Sequence, residues 1–239
     1  MPSDASAFYA STPVRHLFAL ELAALTPILS GIYGNFGLFV RPHADAPTDL
    51  PPHLLGTTLE LAVDGPRSCA GRLRCAPTEL PLASESCKLV IAQHVLERVD
   101  DPLECASEFA RVLAPEGVAL VLGFNPVSLW RPWLAGKASG AALALRPQSA
   151  QSWQQVLARQ GIETLQTRFL GAMSPWQRSA ARQESPPHER RSILGRVGGS
   201  WLLLARKRRS ALTPLRLRRN ARELALNPRL APGAHRECA

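Results

Sequence analysis

The 239-residue chain has no glycine between Gly37 and Gly56 and no aromatic residue after Trp201. The first absence removes the flexible backbone from the end of an early apolar run. The second leaves the basic C-terminal part without a platform on which nucleic-acid bases could stack. Five cysteines occur (Cys69, Cys75, Cys87, Cys105 and Cys238), but no C-x-x-C pair. The odd number and the spacing suggest neither a disulfide framework nor a zinc site, so no metal is expected. Reduced thiols suit a cytoplasmic location. No apolar run reaches the length of about 18 residues that a membrane helix needs. The most apolar early stretch, Leu17 to Val40, is broken by Glu21, Pro27 and Asn35. No basic patch followed by an apolar run opens the chain, so a signal peptide is not expected.

What is present is a globular balance, 46 % hydrophobic and 20 % charged, enough for one α/β domain with extensions. The net charge of +9 is unevenly spread. Arg206 to Ala239 holds ten basic and two acidic residues, which gives +8; the remainder holds 18 and 17, which gives +1. The basicity therefore belongs to a tail and says little about the chemistry of the body.

Along the chain, residues 11–30 read as an amphipathic helix, with Pro13 in its first turn and Val14, Leu17, Phe18, Leu22, Leu25 and Leu29 on one side. Gly37 to Arg41 reads as a strand ended by Pro42, residues 44–52 as a proline-broken loop, Thr57 to Val63 as an alternating strand and Gly71 to Cys75 as a third, short one. Lys88 to Val95 contains the continuous apolar run of a parallel strand covered on both faces. Asp101 then caps a helix, Pro102 opens it, and Ala106, Phe109, Ala110 and Leu113 give its apolar stripe. Ala114-Pro-Glu-Gly117 reads as a tight turn, Val118 to Phe124 as a strand, Ser149 to Gln160 as a helix, and Ile162 to Phe169 and Trp201 to Ala205 as two late strands around a long, mobile loop. Strands alternating with helices predict an α/β fold with a doubly wound, mainly parallel sheet and a terminal antiparallel hairpin. No repeat is visible. The expected organisation is a helical extension at 1–34, the α/β domain at 35–207 and a basic tail at 208–239.

One segment, LPLASESCKLVIAQHVLERVDDPLECASEFARVLAPEGVALVLGFNP at Leu80 to Pro126, is specific. A Leu-Pro turn (Leu80-Pro81) precedes a strand that ends in Gln93-His94. Asp101-Pro102 then begins a helix, and Arg111-Val-Leu-Ala-Pro-Glu-Gly117 leads into the next strand. In this order the features resemble those of the class I S-adenosylmethionine-dependent methyltransferases, and the resemblance is expected to extend over residues 35–207. It implies a seven-stranded Rossmann-like sheet and S-adenosylmethionine as cofactor. Ligands of such open sheets bind beyond the carboxyl ends of the strands, where strand order reverses. On that edge the resemblance puts Asp64 at the ribose, with Glu60 a weaker choice. It puts Thr78, Glu79 and Leu80 along the adenine, Arg41 and Gln93 near the cofactor, and His94 as the catalytic candidate. Asn125 and Trp130, with Trp133, would face the acceptor, and Glu97 and Asp100 could join the site. Methyl transfer from a sulfonium depends on alignment more than on acid or base.

The chain departs from the family at two points. Where the family carries D/E-x-G-x-G-x-G after its first strand, this sequence reads LFVRPHADAP, and Pro42 fixes the backbone and removes a donor. Cys87-Lys88 stand where Phe-Asp is common in the fourth strand. The expected function is methyl transfer to an unidentified acceptor, most simply a small molecule. The alternatives are a non-catalytic binding or scaffold protein of the same fold, and an RNA-associated protein that uses RKRRS at 206–210 and RLRR at 216–219. Oligomeric state and acceptor are not readable from the sequence.

Overall fold

The computed structural model describes residues 4–47, 50–137, 145–176 and 198–208. The expected loop between the late strands lies largely outside these residues, and the basic tail almost entirely. Helices α1 (Asp4–Tyr9) and α2 (Thr12–Leu29) come first. Strands β1 (Tyr33–Arg41), β2 (Leu54–Gly65), β3 (Ser68–Gly71) and β4 (Cys87–Gln93) follow, then α3 (Pro102–Val112), β5 (Leu113–Phe124), α4 (Trp130–Lys137), α5 (Ala150–Arg159), β6 (Ile162–Leu170) and β7 (Ser200–Lys207).

The seven strands form one sheet in the order β3-β2-β1-β4-β5-β7-β6. Strand β1 pairs in parallel with β2 and β4, and β4 with β5. Strand β7 runs antiparallel to both β5 and β6, and β3 runs antiparallel to β2. Five strands therefore share one direction. Alternation sorts the side chains between two cores. Phe39, Leu89, Ile91, Leu120 and Leu202 meet Leu22, Leu25 and Leu29 of α2 on one face. Leu38, Val40, Val90, Ala92, Val121 and Leu203 meet Ala106, Phe109 and Ala110 of α3 and Trp153 and Leu157 of α5 on the other. The N-terminal helices thus belong to the same compact unit as the sheet, Met1–Arg209.

Local signals explain most elements. The Asp101 carboxylate accepts from Glu104 N at 3.0 Å, and Ser149 Oγ accepts from Ser152 N at 3.1 Å, so α3 and α5 are capped, whereas Ser11 at the start of α2 makes no side-chain cap bond. Three expectations change. The third strand is Ser68–Gly71, not 71–75, because Pro66-Arg67 closes a two-residue turn directly onto β2. Gly71 suits that close pairing, since a Cβ there would lie 2.4 Å from Glu60 O. Strand β5 begins at Leu113, beside Cys87, and residues 114–117 form an irregular bulge within it in which Glu116 takes a left-handed backbone, φ 59°. Helices α1 and α4 are additional.

Candidate functional site at the carboxyl ends of the strands

The reversal of strand order falls between β1 and β4. Only residues 42–53 join β1 to β2, and their described part contains no helix, although such a crossover is usually helical. Arg41 turns back on this link: its Nη1 donates to Ala44 O at 3.2 Å and to Ala46 O at 2.7 Å. The turn after β2 and the loop after β4 meet beside it. Asp100 N donates to Pro66 O at 3.0 Å, and Arg67 pairs with Asp100 at 2.8 Å.

Gln93 and His94 lie at the end of β4, as expected, but both are buried. His94 takes a left-handed backbone, φ 51°, uncommon without glycine. Its Nε2 lies 2.9 Å from Glu21 Oε1 of α2, and its Nδ1 lies 3.0 Å from Glu97 Oε2. Gln93 Nε2 donates to Glu21 Oε2 at 2.9 Å, and Phe124 N donates to Glu97 Oε1. Burial alone would lower the imidazole pKa; the two carboxylates outweigh it and raise it to about 10. An imidazolium between two buried carboxylates is a fastener, and opening such a pair from one side costs about 3–5 kcal/mol. In this arrangement His94 ties α2 to β4 and has no exposed surface to offer an acceptor.

Aromatic rings extend this network along the strand ends. Trp130 and Phe124 are 6.0 Å apart, Phe124 and His94 4.1 Å, His94 and Phe18 4.8 Å, Phe18 and Tyr9 6.0 Å, and Tyr9 and His43 5.4 Å. The column runs from the end of β5, past β4, to the residues after β1.

The other expected residues separate. Asp64 is half exposed and pairs with Arg74 at 3.2 Å. Thr78 is partly buried, Glu79 exposed and Leu80 buried. Their loop is held by α3: Leu80 N donates to Glu108 Oε1 at 2.7 Å, and Arg111 Nη2 donates to Leu80 O at 3.1 Å and Leu82 O at 2.9 Å. The Arg111 guanidinium beside Glu108 keeps that carboxyl below its usual range. Arg111, part of the motif, is thereby a clamp on the loop. Asn125 is buried and donates to Gly198 O at 3.0 Å, while its Oδ1 accepts from Val127 N at 3.1 Å. Trp130 is buried, its indole N–H donating to Ala172 O at 3.0 Å, and it floors a cavity of about 480 Å³ with Thr12, His16, Leu20, Ser174 and Trp176. A larger cavity, about 620 Å³, is lined by α5 and β6 and includes none of the strand-end residues.

Sequence reasoning missed Glu21, Tyr9 and Arg98. Glu21 had a signal: a fully buried carboxylate on the apolar stripe of α2 must find a partner. Tyr9 and Arg98 lie in no motif.

S-adenosylmethionine, implied by the resemblance, meets a divided site. The glycine backbone that would approach its amino-acid part is missing. The same edge, however, carries two buried polar atoms without partners, Arg41 Nε and Gln93 Oε1, and the Tyr9 hydroxyl buried against Arg98. Such unpartnered atoms are rare and call for a ligand, ion or water. A cationic donor and an amide acceptor fit the carboxylate and ammonium of an amino-acid group.

Residues 49–121 match the sequence profile of the methyltransferase domain family. The chain has no match among curated protein sequences. Among solved structures it resembles a SAM-dependent methyltransferase of Thermotoga maritima, at 17 % identity and TM-score 0.57 over 81 % of this chain and 91 % of that one. It also resembles a structure of the Haloferax volcanii Trm112 methyltransferase activator complex, at 14 % identity and TM-score 0.52 over 86 % and 96 %. A Bacillus halodurans protein put forward as a methyltransferase gives 15 % identity and TM-score 0.51 over 79 % and 99 %. These likenesses concern the fold, and the profile match covers residues 49–121, which hold much of the motif at Leu80 to Pro126.

Proposed function

We propose that the protein catalyses S-adenosylmethionine-dependent methyl transfer to a small, flat, largely apolar acceptor. The observation that carries the reading is the family match at 49–121, placed on a sheet whose strand order reverses between β1 and β4. When bound, the cofactor supplies an electrophilic methyl group on a sulfonium. The chain's part is to hold and align. Arg41 and Arg98 would take the carboxylate, Gln93 Oε1 the ammonium, and Asp64 the ribose hydroxyls after release from Arg74. Thr78 to Leu80, fixed by Arg111, would border the adenine. The cavity on Trp130 is of ligand size and has aromatic walls with a few polar groups, which suits the acceptor. The test is transfer of labelled methyl from S-adenosylmethionine to a set of aromatic amines and phenols. We expect label in at least one of them, with Trp176→Ala raising its KM several-fold. Bound cofactor with no label in any acceptor would overturn the acceptor class.

A second reading, a non-catalytic member of the fold, is favoured by the ring column and the Glu21–His94–Glu97 network across the strand ends. That reading expects no binding of the cofactor at all.

A further inference from the structure

Cys69 of β3 and Cys75 face each other across the bend that follows β3. They form an isolated antiparallel pair: Cys69 N donates to Cys75 O at 2.8 Å, and Cys75 N donates to Cys69 O at 3.0 Å. Residues that exchange both bonds lie opposite each other with Cα atoms about 5.5 Å apart, inside the span of a disulfide. Directly opposed side chains also share one face of the sheet. Both thiols accordingly reach the core shared with α3, Cys69 fully buried and Cys75 half-buried. Both are free, and Cys105 of α3 is a third free thiol in that core. The Cβ atoms of such a pair stand about 4.5–5.5 Å apart, against about 3.5–4.5 Å in a disulfide. Closing a bond therefore draws Cys75 inward by about 1 Å. Residues 72–74 on one side make a bend outside any strand, and residues 77–78 on the other make a turn, so the chain can give there. The bend carries Arg74, whose Nη2 pairs with Asp64 at 3.2 Å. Asp64 is the carboxylate assigned above to the ribose.

We propose that Cys69 and Cys75 are a redox modification site: a small-molecule disulfide of the glutathione class converts them to a reversible disulfide that pins Arg74 on Asp64. The Cys75 thiolate, the more accessible of the two, attacks the reagent and displaces one thiolate. The Cys69 thiolate then attacks Cys75 Sγ and displaces the second. Two protein thiols are oxidised to one S–S bond, one reagent disulfide is reduced to two thiols, and the two protein protons pass to the released thiolates. Burial raises the pKa of both thiols, with Cys75 adding to the effect at Cys69 and Glu108 at Cys75. The exchange is therefore slow at neutral pH and faster in alkali. Formation of the bond is independent of the methyl-transfer reading; its control of Asp64 rests on that reading.

The full chain is equilibrated in mild alkali with oxidised and reduced glutathione in varied ratio, quenched with acid, alkylated and digested with trypsin. We expect one internal disulfide joining peptide 68–72 to peptide 75–88, with fragmentation placing it on Cys75 and not on Cys87. Cys75→Ser leaves Cys69 without that link. Calorimetry with S-adenosylhomocysteine should show binding about tenfold weaker after oxidation, the worth of one hydrogen bond to a charged group. Dithiothreitol restores it, and Asp64→Asn binds weakly in both states. The proposal is overturned if the folded chain forms no Cys69–Cys75 link at any ratio, or if Cys69 links to Cys105 instead. Oxidised protein that binds S-adenosylhomocysteine as well as the reduced form does would overturn the control of Asp64. If neither form binds it, the methyl-transfer reading fails, and the linked peptides still decide the modification site. The link is read in wild type, so the decision does not depend on a variant that folds.

Discussion

His94 concentrates the residue-scale chemistry. Its left-handed backbone is held by bonds from two directions, Glu21 of α2 and Glu97 of the following loop, with Gln93 sharing the Glu21 carboxylate. Because its pKa is raised in the folded state, the stability it contributes is complete below the unfolded value, about 6.5. It is lost as pH rises toward about 10. Urea midpoints of wild type should therefore fall between pH 7 and pH 10, and His94→Gln should flatten that slope; a slope unchanged in the variant would contradict the assignment. Glu21→Gln leaves the imidazole with one carboxylate, and should cost about 3 kcal/mol at pH 7 by equilibrium unfolding. A loss under 1 kcal/mol would show that water reaches the pair.

At the scale of elements, α3 and its neighbours are the most independent part. Asp101→Ala removes a formed N-cap and should cost about 1 kcal/mol in urea unfolding, without altering ligand binding. Gly123→Ala should cost about 1–3 kcal/mol, because the added Cβ would lie 2.3 Å from the Trp201 ring, itself fixed by bonds to Phe124 O and Gln148 O. These elements were legible in the sequence for physical reasons. The apolar run of β4, the Asp101-Pro102 start of α3 and the stripe of α2 are all local signals. Strand β3 was misplaced because a two-residue turn needs little sequence signal. Helices α1 and α4, of six and eight residues, have too few turns to show a period. They are kept by tertiary contacts such as Phe8 on Trp133. The site was legible only on its β4 side. Gln93 and His94 stand out at a strand end, but their partner Glu21 is 72 and 73 positions away and registers along the chain as a break in an apolar stripe.

Across the molecule, the sheet reverses its strand order between β1 and β4, the first crossover is a short link and the third strand folds back as a hairpin. Among the described residues, no helix is long and apolar enough to cross a membrane. The strand-end edge is bordered by aromatic rings and a charged fastener, and it carries the buried, unpartnered Arg41 Nε and Gln93 Oε1. Under the proposed function, this edge would recognise its ligand through side chains in place of glycine backbone. Direct titration of the full chain with S-adenosylmethionine and S-adenosylhomocysteine by calorimetry tests that claim. The account predicts saturable binding of both, in the micromolar range usual for such ligands (about −8 kcal/mol). Absence of heat up to millimolar concentration would contradict it and leave the non-catalytic reading.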